Sequence, residues 1–199
     1  MADANAMNAE LPIGSIGRRS LGWWGVVALI ATEAALFSYL IFSYLYLAVQ
    51  VGPNWGSNIP PSLSYGIPMT VLLVANSLTM WLAEKAATRA AWPTLVASMT
   101  LSLIFVIGFI VFEVSDWFSE SFTPQTSAYG SAFFVLTGFH LAHCVAGAAM
   151  IVEVIIWALL GYIDESRSVP VMVAAAYWHF TDAVWILLFV LLFVVPNVR

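Results

Sequence analysis

Residues 129–160 read YGSAFFVLTGFHLAHCVAGAAMIVEVIIWALL. A bilayer core about 30 Å thick needs about 20 apolar residues as a helix, and this run exceeds that length. It therefore spans with a strong tilt or projects past the membrane. Four further stretches qualify on either side of it: Trp23 to Val49, Tyr65 to Ala83, Trp92 to Phe112 and Val171 to Val195. The breaks between them carry turn chemistry. Gly52-Pro53-Asn54 through Pro60-Pro61 follows the first span, Ala91-Trp92-Pro93 the second and Thr123-Pro124 the third, and Gly161 and Pro170 bracket the last loop. The expected architecture is all-α, a polytopic membrane bundle of five transmembrane helices.

Composition leads to the same place. The chain has 199 residues, of which 62% are hydrophobic and 9% charged. Soluble domains carry about 25% charged residues, and a water-soluble core of this size does not hide so much apolar surface. The net charge of −5 gives no basis for nucleic-acid binding. The lone Cys144 excludes a disulfide framework and reads as a small buried hydrophobe. There is no phosphate loop, nucleophile elbow, Rossmann glycine pattern or Cys-x-x-Cys-His haem attachment.

Six basic residues set the expected orientation. Arg18 and Arg19 precede the first span, Lys85 and Arg89 lie in the second loop, Arg167 in the fourth, and Arg199 ends the sequence. The positive-inside rule then places the N-terminus in the cytoplasm and the C-terminus outside. Residues 1–20 read as a short cytoplasmic tail and 21–199 as one transmembrane domain. The Arg18-Arg19 pair does not open a cleaved signal, because the apolar run behind it is too long and contains Glu33. Trp23, Trp24, Trp55, Trp92, Trp117 and Tyr162 fall at span ends as an interface belt would.

Ionisable side chains inside a membrane are costly, which makes each one a candidate for function. Here they are Glu33 in span one, His140, His143 and Glu153 in span four, and His179 and Asp182 in span five, with Glu113 and Asp116 as outer-face acids at the end of span three. At 1.5 Å of rise per residue, Glu33, His140, His143, His179 and Asp182 share one slab about 10–17 Å from the cytoplasmic face. His140 and His143 are spaced i, i+3, as are His179 and Asp182, so each pair shares a helix face turned away from lipid. Three readings fit that pattern: a metal site for iron or zinc, a proton or ion relay of a free-standing transporter, and a hydrogen-bond network that locks helices together. Periodicity leaves all three open. Gly138, Gly147 and the alanines 142, 146, 148 and 149 suit close helix packing in span four, and Phe133-Phe134 reads as packing.

Two longer motifs carry a resemblance. Residues 129–147, YGSAFFVLTGFHLAHCVAG, resemble the pattern YGSxFFxxTGFHGLHVxxG of subunit III of the haem-copper terminal oxidases. Residues 176–186, AYWHFTDAVWI, resemble that family's YWHFVDxVWxxLF. Weaker echoes are Thr32-Glu33-Ala34-Ala35-Leu36-Phe37, the run from Pro68 to Trp81, and Glu113-Val114-Ser115-Asp116-Trp117. The likeness covers about residues 20–196 and is to the short, five-span form, without two N-terminal helices of longer relatives. Leu141-Ala142 departs from the family's Gly-Leu, Thr181 from its valine, and Asp116 from its glutamate.

The resemblance implies an accessory subunit with no catalytic site, haem, copper or other metal of its own. Haem and copper would belong to partner subunits I and II, with phospholipid bound at this chain. Subunit I would be the direct neighbour, and cytochrome c or quinol the electron donor to the complex. Glu33, His140, His143, His179 and Asp182 would then form a polar core supporting helix contacts, lipid or proton uptake, in a bacterial inner (plasma) membrane. Asp116 and Glu120, read as outer-loop acids, would help steer a basic cytochrome c.

Overall fold

A computed structural model describes residues 21–56, 61–164 and 167–198. The expected tail 1–20 with Arg18 and Arg19, as well as Pro60 and Arg199, lies outside the described residues. Five long helices follow in order: α1 Leu21–Val51, α2 Leu63–Ala87, α3 Trp92–Ser119, α4 Ala128–Leu159 and α5 Val169–Phe189. After α5 the helix widens to a π turn over Val190–Val194 and closes with an α turn, Val195–Val198. All five are long and apolar enough to cross a membrane, and among the described residues there is no strand.

The starts of α2 to α5 carry recognisable sequence signals, a serine cap or an early proline. The Ser62 hydroxyl accepts from Ser64 N–H at the start of α2, and the Ser127 hydroxyl accepts from Gly130 N–H at the start of α4. α3 and α5 open with Pro93 and Pro170 in their first turns, where a missing N–H costs nothing. The helix ends are also specified. Gly161 takes φ +75° after α4, letting Tyr162 N–H reach back to the Trp157 carbonyl at 2.9 Å. Ala90 has the same task after α2 at φ +51°, with Ala91 N–H on the Ala86 carbonyl at 3.0 Å.

α2, α3 and α4 pack side by side, α5 lies against α1, α2 and α4, and α1 rests on α4 and α5. The core runs through Phe109, Phe133, Trp178, Trp185 and Phe193, each with less than 2% of its surface exposed. α2 and α5 are antiparallel and joined along their length. Asn197 donates to the Pro61 carbonyl at 3.1 Å, Trp185 to the Thr70 hydroxyl at 3.1 Å, and Ser77 meets His179 at 2.8 Å. The basic loops share one end of the bundle, since Lys85 and Ser168, next to Arg167, line a common cleft there. At the other end Trp55 of the first loop packs edge-on against Tyr44 and Tyr129.

Two expectations change. α3 continues seven residues past Phe112, because Glu113 and Asp116 turn into the protein instead of meeting water. Asp116 is thus a buried helix residue, 1% exposed, and not a loop acid. Trp55 is 7% exposed, enclosed by aromatic neighbours and not laid in an interface belt.

Candidate functional site

The ionisable groups expected to share one slab divide among three places in the bundle. The first joins α1 to α4. Glu33 Oε2 and His143 Nε2 are 2.6 Å apart, with 22% and 14% of their side chains exposed. His143 Nδ1–H donates to the Phe139 carbonyl at 2.6 Å, which fixes the proton on that nitrogen. Nε2 is left to face the Glu33 carboxyl group, so two polar groups that lipid would penalise satisfy each other. Phe37 stands 5.0 Å from the imidazole, centroid to centroid, and Tyr177 O–H donates to the His143 carbonyl at 3.2 Å.

His140, one turn away, faces elsewhere. It is fully buried, with Nε2 3.3 Å from the Thr181 carbonyl on α5. A carbonyl only accepts, so Nε2 carries the hydrogen, and Nδ1 is left to accept from the Cys144 thiol at 3.7 Å. Phe109 and Trp185 flank the ring at 5.5 and 5.1 Å. Although they share a helix face, the two histidines therefore serve different neighbours: His143 serves α1, and His140 serves α5 and the core.

The third place lies between α2, α3 and α5. His179 Nδ1 meets the Ser77 hydroxyl at 2.8 Å. Asp182, 6% exposed, turns its carboxyl toward Ser77 and Asn76 without closing a hydrogen bond of ordinary geometry to either. Asn76 Oδ1 accepts from the Ser102 hydroxyl of α3, and both residues are fully buried. Among the described residues, no three His, Cys, Asp or Glu side chains converge as a ligand set.

The end of α3 forms a separate acidic region. Glu113 is 1% exposed, and among the described residues neither of its carboxyl oxygens has a hydrogen-bond partner. Glu120 stands just beyond the helix and half-buried, where burial pushes its carboxyl up to about 7 against the pull of the Ser62 backbone N–H. Trp117 Nε1–H ties this end to Thr137 of α4 at 3.1 Å. Glu153 is exposed near the end of α4.

Reading by charge missed Asn76, Ser77, Ser102 and Thr181, which supply the partners of the ionisable groups. Their signal was present: Asn76-Ser77 is a polar pair in the middle of an apolar span, where each polar group needs a partner.

The sequence profile described as cytochrome c oxidase subunit III matches residues 18–196, nearly the whole chain. The chain belongs to the cytochrome c oxidase subunit III family. Relatives of similar length include a protein of Corynebacterium diphtheriae named cytochrome c oxidase subunit 3, 29% identical over 201 residues and covered over 94% of both chains. A probable cytochrome c oxidase subunit 3 of Mycobacterium tuberculosis is 28% identical over 190 residues, 91% of each chain. The subunit 3 of Myxine glutinosa is 27% identical over 183 residues, 88% of this chain and 70% of its own. As a subunit III chain this is a multi-pass membrane protein and a member of an oxidase complex.

Proposed function

We propose that this chain is the accessory subunit of a bacterial haem-copper oxidase in the plasma membrane, seated directly against catalytic subunit I in a complex that includes subunit II. Haem and copper belong to those partners, and cytochrome c or quinol feeds the electrons that reduce dioxygen. The chain sustains proton uptake by subunit I, stabilises the complex and binds phospholipid. The end carrying Lys85, Arg89 and Arg167 faces the cytoplasm, as the distribution of basic residues argues.

One observation supports this reading above others: the polar groups of the slab are engaged pairwise from helix to helix, Glu33 with His143, Ser77 with His179, and His140 with the Thr181 carbonyl. Such links tie α1, α2, α4 and α5 into one arrangement without occupying a central ligand set. An apolar body with its Glu33–His143 contact near the lipid-facing surface suits a subunit that braces a catalytic neighbour. The test is to remove this chain from the purified oxidase and follow oxygen consumption. Initial turnover that persists but decays after fewer cycles, and recovers when the chain is added back, supports the reading. Unchanged durability without the chain contradicts it.

A further inference from the structure

Halfway along α2, Asn76 and Ser77 reach neighbours on two different helices. Asn76 Oδ1 accepts from the Ser102 hydroxyl of α3, and the Ser77 hydroxyl meets His179 of α5. Asp182 of α5 turns its carboxyl group toward the same two residues of α2. Three helices thus bring amide, hydroxyl and carboxyl oxygens to one place in the middle of the bundle. Asn76 and Ser102 are fully buried there, and Asp182 is 6% exposed.

Among the described residues, neither carboxyl oxygen of Asp182 has a hydrogen-bond partner. No basic side chain answers it either. Lys85 stands 3.4 Å over the Trp81 ring and Arg167 pairs with Asp164 at 3.3 Å, both at the basic end of the bundle, where Arg89 is exposed. His143 is engaged by Glu33, His140 faces the Thr181 carbonyl, and His179 directs Nδ1 to Ser77. A buried carboxylate without a counter-charge is costly inside a membrane, so a proton or a cation must meet it. The neighbouring oxygens favour the cation. A proton engages one acceptor, whereas an ion engages the carboxylate and several neutral oxygens together. Asn76 Nδ2 is unpartnered as well, so the amide engages its neighbours through its oxygen.

We propose that Asp182, Asn76, Ser77 and Ser102 bind one sodium ion, which ties α2, α3 and α5 together. Every donor is oxygen, the set that hard cations prefer. One carboxylate balances one single charge, while a divalent ion would leave net charge within the membrane. The oxygens already lie close, Ser102 on Asn76, which suits sodium better than the larger potassium ion. The ion carries no redox chemistry, and the site stands whichever partner subunits accompany the chain.

The experiment is equilibrium dialysis against radioactive sodium of the chain purified with its accompanying subunits, in choline chloride at constant ionic strength. Asp182→Asn is expected to bind one sodium ion fewer per chain than wild type. Ser102→Ala, a milder change, keeps the site and raises its dissociation constant about tenfold, the worth of one bond to a charged group. Glu113→Gln, which removes a buried carboxyl elsewhere, leaves sodium binding unchanged. The unfolding midpoint of the wild type rises saturably with sodium chloride and not with choline chloride. Equal sodium binding by wild type, Asp182→Asn and Ser102→Ala, or a midpoint indifferent to sodium, overturns the site and leaves Asp182 holding a proton. Displacement of sodium by an equal concentration of potassium overturns the sodium assignment.

Discussion

His143 and Glu33 stand 110 residues apart in the chain and 2.6 Å apart in the bundle. Their contact fastens α1, whose buried residues are only Val26, Phe37 and Tyr44, to the longest helix. A helix with so little buried surface gains much of its position from directed bonds, since lipid is as apolar as its own side chains.

Breaking that bond is expected to loosen α1. A double-mutant cycle with Glu33→Gln and His143→Ala should give a coupling energy of about 0.6–1.7 kcal/mol, the range of hydrogen bonds between membrane helices. Reversible unfolding in mixed micelles measures it. Additive effects would mean that the contact does not hold the helix.

Trp178 lies across Gly147, so a Cβ at residue 147 would meet its ring at 2.6 Å, and its Nε1–H already donates to the Gly147 carbonyl. Gly147→Ala should cost about 1–3 kcal/mol through overpacking. Combined with Trp178→Phe the penalty should be less than additive, because the smaller ring vacates the space. Unfolding of the two single variants and the double variant decides this.

Ala90 closes α2 with φ +51°, a conformation that costs a residue with a Cβ about 1–2 kcal/mol. Ala90→Gly is expected to stabilise the fold by about 0.5–1 kcal/mol after the greater flexibility of unfolded glycine is subtracted. A rise in the unfolding midpoint checks it.

Glu120 supplies a pH dependence of known sign. Burial raises its folded-state value from 4.5 to about 7, so the folded state binds the proton more tightly than the unfolded chain. Its contribution is fully present below pH 4.5 and is lost as pH rises through about 7. Between those limits stability falls with rising pH, and Glu120→Gln should flatten that slope. Unfolding midpoints at several pH values, for both proteins, measure the difference.

The spans were legible because an apolar run of sufficient length has few alternatives to a membrane helix. Their ends were less so. Glu113 and Asp116 look like residues that leave the membrane, yet they extend α3 by turning inward, which hydropathy does not register. The depth of Glu33 and His143 pointed to one slab, but depth says nothing of rotation about a helix axis. That rotation sends His140 to Thr181 and His143 to Glu33. The π turn at Val190–Val194 left no mark in its residues, VLLFV, and the close approach of Phe189 and Phe193 to Gly66 joins residues far apart in sequence.

Purification of the tagged chain in mild detergent, with an optical spectrum and metal analysis of the product, tests the central claim most directly. The account predicts haem absorption and copper carried by a larger co-purifying subunit. A colourless chain recovered alone, or one holding stoichiometric iron or zinc by itself, would contradict it.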